Sequence, residues 1–364
     1  MNIYLWNYVI MIIEAAILLY NPDNRRGWDE NKTKKKRKTF VILVCIQWIL
    51  LIGLRADNIG ADTGNYKRIF ETQNALSWQD IFSKFSLFKE DFMEGLSAEI
   101  GYILFSKLVG SIWNHYGFFK FVVGSIFMIS LGAYVYENSD EPFLCFTLFD
   151  GILFNLFAIT GYRQVISVCI GMLWNYKNVK ERKFVPFLLL LALAMLFHKS
   201  AIIFLVYYFL ANKEITRVYV DRCLILIAIM IAFRSKINPF LASIMGYEGY
   251  TSEKGSGTQI FVMMYFALSA VFIWRRKAVK TLFPDSNYYY NAMICSGIML
   301  SFALTNSATL RAVYNFLLIT LPLLPQAMRS FEKKIDNSLA YVIVTSIFYL
   351  YILSKDMTYF FYWQ

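Results

Sequence analysis

The sequence predicts an all-α protein, a polytopic transmembrane helical bundle of about 11–13 membrane segments. Three observations carry that prediction. Of the 364 residues, 58% are hydrophobic and 18% aromatic, against roughly 45–50% apolar content in a soluble domain, whose core could not hide so much apolar surface. Apolar runs of spanning or near-spanning length recur from end to end. The net charge of +11 collects in the short connections between them, as the positive-inside rule requires, and needs no nucleic acid to explain it. The chain therefore reads as one integral membrane domain over residues 1–364, with the lipid bilayer as its first partner.

The first run, Asn2 to Tyr20, has no basic residue before it and no small-residue cleavage site after it, so it reads as a retained helix with its N-terminus outside. Arg25, Arg26, Lys32, Lys34, Lys35, Lys36, Arg37 and Lys38 place the next loop, Asn21 to Lys38, in the cytoplasm. The run Phe40 to Leu54 then emerges near Arg55, and residues 55–99 form a long external loop. Within it Trp78, Ile81, Phe82, Phe85, Phe88 and Phe92 recur at helical spacing, which predicts an amphipathic helix lying in the membrane interface.

Three apolar stretches follow: Gly101 to Trp113, Phe118 to Tyr136 and Phe143 to Ile159. If Arg55 and Arg163 both lie outside, an even number of these must cross. The first is short and the third contains Asp150 and Asn155, so either one suits a re-entrant or tilted segment. Beyond Arg163, the runs Phe184 to Phe197, Cys223 to Phe233, Ile260 to Trp274, Ala292 to Leu304, Ala312 to Leu324 and Leu339 to Leu353 alternate with basic connections. Those connections, around Lys180, Arg217, Arg276 and Lys333, are expected inside. The hairpin around His198, a second external loop at residues 234–259 and the turn Asn306 to Arg311 are left outside. Cys45, Cys145, Cys169, Cys223 and Cys295 sit in apolar runs with no C-x-x-C pair, so buried free thiols are expected.

Charged side chains in or beside hydrocarbon cost several kcal/mol, and those that persist are candidates for function. On the external side these are Arg55, Asp62, Glu99, Arg163, His198 with Lys199, and Arg311, while Glu14 and Asp150 lie deeper. Singly, an arginine at a span end is as readily a snorkelling anchor, and a histidine at a helix end is more often structural. Together, three arginines and a histidine at four span ends on one face suit a diphosphate, which Arg binds bidentately without losing its charge. With no D-x-D motif and no cluster of metal ligands, neither a metal nor another cofactor is expected.

The stretch Gly53-Leu54-Arg55-Ala56-Asp57-Asn58-Ile59-Gly60-Ala61-Asp62-Thr63-Gly64-Asn65-Tyr66 resembles the R…GxDTxxY signature of the EpsG family of exopolysaccharide polymerases, relatives of the Wzy O-antigen polymerases. Glu99-Ile100-Gly101-Tyr102 resembles that family's ExGY element. Arg163-Gln164, Phe197-His198-Lys199-Ser200 and Arg311-Ala312-Val313-Tyr314 are similar to its remaining landmarks, in the same order. The resemblance runs from about Arg55 to Tyr314. Ala61 departs from it, standing where a glycine-rich turn often continues.

The resemblance implies a GT-C-like, metal-independent glycosyltransferase of the bacterial cytoplasmic membrane, with its active site on the external side. It would transfer the growing glycan from undecaprenyl diphosphate to the non-reducing end of a new lipid-linked repeat unit. Its partners would be the undecaprenyl-diphosphate-linked oligosaccharide and, further, other polysaccharide-assembly proteins. Arg163 and Arg311 are the expected diphosphate ligands, with Arg55 beside them or ordering the loop, and Tyr66 and Tyr314 as further substrate contacts. His198 is the first candidate for the base and Asp62 and Glu99 the second. One more diphosphate ligand is the alternative role for His198. A lipid-linked oligosaccharide flippase is the main competing function, but transporters place coupling charges near the bilayer midplane and often show internal repeats. A glycan acyltransferase would need no set of arginines, and a scaffold would use the external loop for docking.

Overall fold

The computed structural model describes residues 2–20, 30–60, 62–83, 91–93, 96–237, 259–303, 310–331, 337–354 and 358–364. The first part of the chain forms α1 (Ile3–Leu18), α2 (Glu30–Gly53), α3 (Thr63–Ala75), α4 (Trp78–Ser83), β1 (Asp91–Met93), β2 (Leu96–Ser97), α5 (Ile100–Ile112) and α6 (Tyr116–Asn138). Next come α7 (Pro142–Leu148), α8 (Tyr162–Val168), α9 (Tyr176–Lys180), α10 (Phe184–Met195), α11 (Ile203–Leu210) and α12 (Arg217–Ala232). The last are α13 (Gln259–Leu282), α14 (Asn287–Ala303), α15 (Leu310–Ile319), α16 (Leu323–Arg329) and α17 (Asn337–Leu353). The two strands make a short antiparallel ribbon, and the architecture is otherwise all-α as expected.

Small residues set the central packing. α2 and α6 run antiparallel, with Gly132 against Cys45, Gly124 against Ile52 and Gly53 against the ring of Phe121, so that the backbones approach closely. On the outer surface, Ile10, Ile13 and Ile17 of α1 form an exposed stripe, as do Ile42, Ile46 and Leu50 of α2 and Ile343, Ile347 and Leu350 of α17. Apolar stripes of that extent suit a hydrocarbon solvent and are unfavourable in water. Among the described helices, α6 is long and apolar enough by itself to cross a membrane, while α1, α5, α10 and α15 are apolar but shorter.

The two ends of α6 define the two ends of the bundle. At one, the Tyr116 hydroxyl donates to the Thr63 carbonyl at 3.3 Å and Lys120 pairs with Asp57 at 2.7 Å. At the other, Arg37 and Arg329 both reach Asp140, at 2.5 and 3.2 Å, and Lys177 reaches Glu137 at 2.6 Å. Lys180 donates to Asn138 at this end also. These basic residues thus gather at the end away from Arg55.

Between Arg55 and Arg163 the chain runs once to the far end of the bundle and back. α5 runs parallel to α3: Tyr102 meets Tyr66 at 5.6 Å near the start, and Lys107 donates to the Leu76 carbonyl at 2.6 Å further along. Both ends of α5 therefore stay with α3, and its 13 residues extend only about 20 Å. α6 then leaves that end, and α7 with its π-helical continuations Phe149–Leu153 and Asn155–Thr160 returns to it. The third stretch, Phe143 to Ile159, makes the full return despite Asp150, whose carboxylate accepts from the Trp48 indole at 2.9 Å. Glu14, the other deep carboxylate, accepts from Gln47 at 2.6 Å.

Several boundaries differ from expectation. Lys32 to Lys38 lie inside α2 rather than in a loop; residues 21–29 lie outside the described residues. Residues 55–99 hold two helices and the ribbon instead of an open loop with one amphipathic helix. α3 is mostly polar, but Tyr66, Ile69, Phe70 and Gln73 share its buried face. α4 ends at Ser83 and Phe92 lies in a strand, while Phe85 and Phe88 lie outside the described residues. Most of the second external loop, residues 238–258, and Asn306 lie outside them as well. The cysteines are free, four of them buried and Cys223 half-buried.

Candidate functional site

The Gly60 to Tyr66 segment makes the first wall. Gly60 has φ +107° and lies so close to Ile159 that a Cβ would stand 3.0 Å from its carbonyl oxygen, so this turn favours glycine sterically and conformationally. The Thr63 hydroxyl donates to the Ile59 carbonyl at 2.6 Å and locks the turn. Asp62 then occupies the N-cap of α3 without capping it; its carboxylate accepts from Arg311 Nη2 at 2.5 Å. Tyr66, one turn on, stacks on Tyr162 at 5.2 Å and lies beneath the Arg163 guanidinium at 5.9 Å.

Glu99 to Tyr102 makes the second wall by the same logic. A Cβ on Gly101 would lie 2.7 Å from the Leu196 carbonyl oxygen, and the Gly101 amide donates to that oxygen at 2.8 Å. The absent side chain lets the start of α5 close on the Leu196–His198 turn. Glu99 is the N-cap of α5 and, like Asp62, makes no capping bond. One of its oxygens accepts from Arg163 Nη1 at 2.7 Å, and the other lies 3.0 Å from His198 Nδ1. Burial works against the Glu99 carboxylate, but the His198 hydrogen bond and the Arg163 charge outweigh it and hold its pKa down at about 2. A carboxylate only accepts, so in a neutral His198 imidazole the proton sits at Nδ1 and Nε2 keeps its lone pair.

The two ion pairs share Tyr66, whose phenol lies within electrostatic range of Arg163, Asp62 and Arg311. Arg163 and Arg311 keep 25% and 37% of their side chains exposed, so a ligand can reach both. A brace joins them: the Gln164 amide donates to the Arg311 carbonyl at 2.8 Å and to Asn315 Oδ1 at 2.5 Å. Asp62, Glu99 and Arg311 also stand at the starts of α3, α5 and α15, where the helix dipoles favour an anion.

Arg55 is set apart from this group. It is 1% exposed, donates to the Tyr162 hydroxyl at 2.6 Å and to the Ala158 carbonyl at 3.3 Å, and bridges to Phe361 through its backbone. Tyr314 is not drawn in either, its ring meeting Phe261 at 5.4 Å. Lys120, Tyr162, Gln164 and Asn315 were given no role from sequence, yet each fixes part of the site. Lys120 is fully buried and donates to the Arg55 carbonyl and to Asp57. A charged side chain within an apolar run, Lys120 stands out in the sequence for the same reason as Glu14 and Asp150. Asn315 is flagged by its position, one helical turn after Arg311 on the same face.

Comparison with known proteins gives no match among curated proteins and none among solved structures. The sequence profile of the EpsG family, however, matches residues 38–364, a span that contains every residue of the two ion pairs, and the chain belongs to the EpsG family.

Proposed function

We propose that this EpsG-family protein is a polytopic membrane glycosyltransferase that joins lipid-linked oligosaccharide repeat units. It transfers the growing glycan from undecaprenyl diphosphate to the non-reducing end of the next unit, at the outer face of the bacterial cytoplasmic membrane. Family membership supports the coarse function, an exopolysaccharide polymerase in a membrane. The single observation that carries the finer reading is the meeting of Arg163 and Arg311 around Tyr66, each reachable and each held by its own carboxylate. The gathering of basic residues at the opposite end supports the orientation.

In the transfer, the acceptor hydroxyl oxygen bonds to the donor's anomeric carbon as the bond from that carbon to the diphosphate oxygen breaks. The lipid diphosphate departs with the bonding electrons, and the two guanidinium groups stabilise the charge it gains. The hydroxyl proton passes to Nε2 of His198. Glu99 is too weak a base for this step, because the His198 hydrogen bond and the Arg163 charge hold its pKa down at about 2 and both its oxygens are engaged; it sets the tautomer and direction of the imidazole. Asp62 holds Arg311 in the same way. Arg55 holds the hydroxyl of Tyr162, on which Tyr66 stacks, and so orders the floor of the site rather than binding substrate. Fixed guanidinium charge fills the place of a divalent ion, so the reaction calls on no metal.

Purified protein incubated with undecaprenyl-diphosphate-linked repeat units should produce a ladder of longer glycans. No ladder from the wild type, or an unchanged one from Arg163→Ala, overturns the proposal. Movement of the lipid-linked unit across vesicles without any change in its length would identify a transporter instead.

A further inference from the structure

Arg163 and Arg311 are held at their tips by carboxylates and at their roots by one side chain. Arg163 is the second residue of α8 and Arg311 the second of α15, and each helix is anchored elsewhere. The Ser167 hydroxyl of α8 donates to the Ala194 carbonyl at 3.0 Å, and the Ser296 hydroxyl of α14 donates to the Val313 carbonyl of α15 at 3.1 Å. Gln164 spans the two. Its amide nitrogen reaches the Arg311 carbonyl at 2.8 Å and Asn315 Oδ1 at 2.5 Å, one contact on the backbone that carries the second arginine and one on the next turn of the same helix. Both partners are acceptors, so the nitrogen has to face them. Gln164 and Asn315 are buried, and the remaining oxygen of Gln164, Oε1, meets no donor among the described residues. A buried amide pair that leaves one oxygen unsatisfied is a poor way to stabilise a helix contact that two apolar side chains would make without that cost. A fixed distance between two arginines is a better reason for it.

We infer that Gln164 is a positioning residue that holds the Arg163 and Arg311 guanidinium groups at one separation, and that this separation selects a lipid diphosphate over a lipid monophosphate. The inference deepens the proposed function and rests on it. A diphosphate carries two phosphoryl groups at a covalently fixed spacing. Once one guanidinium holds the first, the second meets the other arginine at a high effective concentration, provided that the two stand the right distance apart. A monophosphate offers one phosphoryl group and gains little from the second arginine. Glu99 and Asp62 grip the arginines one by one, from the starts of two separate helices. Gln164 connects the two arginines to each other. Order already present in the free protein is not lost again when the ligand arrives, so a rigid pair keeps the full advantage of joint engagement.

Full-length wild type, Gln164→Leu and the double variant Gln164→Leu with Asn315→Leu, all in detergent, are titrated calorimetrically with farnesyl diphosphate and with farnesyl monophosphate. The two probes share a tail and differ by one phosphoryl group. Wild type should prefer the diphosphate on the order of a hundredfold, the lower end of what joint engagement of two linked sites gives. Gln164→Leu should lose about tenfold or more of that ratio, mainly through weaker diphosphate binding. The double variant removes the bridge together with the partner it would orphan, so it should fold as wild type does and lose the same preference. Unfolded protein lowers the number of binding sites but not the ratio of the two dissociation constants, so a purely structural glutamine would leave that ratio unmoved. An unchanged ratio in the double variant overturns the inference, as does a wild type without preference. The same proteins enter the ladder assay with lipid-linked repeat units. Lost preference in the variants of a wild type that makes no ladder counts against the polymerase alone. A wild-type ladder beside an unchanged ratio counts against the positioning role alone.

Discussion

His198 Nδ1 lies 3.0 Å from one oxygen of Glu99, while the other oxygen of the same carboxylate accepts from Arg163 at 2.7 Å. A single side chain thus orients the proposed base and holds a cation. Glu99→Gln keeps the shape but presents an amide that can donate to Nδ1, which moves the imidazole proton to Nε2 and blocks it as an acceptor. The turnover number should fall on the order of a hundredfold or more, by analogy with other carboxylate–histidine pairs. Glu99→Asp should lose much less. Single-turnover kinetics on a lipid-linked donor would check both, and equal losses in the two variants would argue against control of the tautomer.

The same carboxylate makes a pH prediction. Its folded pKa of about 2 lies below its ordinary value of 4.5, so ionisation favours the fold. The stabilisation, about 3 kcal/mol for a shift of this size, is fully present above the unfolded value and fades as pH falls through the folded one. Thermal unfolding of wild type and Glu99→Gln should therefore differ by a constant amount above pH 4.5, and the gap should close in more acidic buffer.

Arg311 and Asp62 form a half-exposed pair, and such pairs contribute only about 0.2–1 kcal/mol to stability. Arg311→Ala should leave the unfolding temperature nearly unchanged yet lower polymerisation on the order of 10²–10³-fold, the usual loss when one donor to a developing anion is removed. Arg311→Lys should recover little, since an ammonium lacks the planar fork. A large drop in stability with modest loss of activity would assign the pair to the scaffold.

Gly101→Ala places a methyl group 2.7 Å from the Leu196 carbonyl oxygen, so the start of α5 must retreat from the His198 turn. The expected cost is about 1–3 kcal/mol, together with a loss of activity as Glu99 moves away from His198. Gly64→Ala, where a Cβ meets nothing within 4 Å, is the matched control and should leave activity intact.

Tyr162→Phe removes the partner that Arg55 reaches at 2.6 Å. Leaving that buried guanidinium donor unsatisfied should cost about 1–3 kcal/mol or more. Because Arg55, as proposed, supports the Tyr162–Tyr66 stack and does not touch the ligand, activity per folded molecule should fall far less than in Arg163→Ala. Circular dichroism melts beside ladder assays would separate the two effects.

Much of the site was legible in the sequence because charge is conspicuous next to hydrocarbon: Asp62, Glu99, Arg163, His198 and Arg311 all mark the starts of helical segments. Their pairing was not legible, since it depends on which helix ends meet in space. Gly101 illustrates the gap, for its value lies in a contact with Leu196, far away in the chain. Gln164 and Asn315 carry no charge and blend into apolar runs, so nothing in the composition advertises their bond. Arg55 looked equivalent to the other arginines until its burial beneath Tyr162 separated it. α3 was passed over because its polar residues outnumber the inward-facing set that holds it down.

Glu99 and Asp62 balance Arg163 and Arg311 charge for charge. On the proposed reading, an incoming diphosphate displaces resident carboxylates rather than falling into a bare electropositive well. The exchange weakens capture of every small anion that cannot engage both arginines together. In the proposed reaction it would also ease departure, since each carboxylate can pair again with its arginine when the spent carrier leaves, so that no unpaired cation is left behind. A polymerase that, as proposed here, discharges one carrier lipid for each unit added would benefit from a site that closes over its own charges.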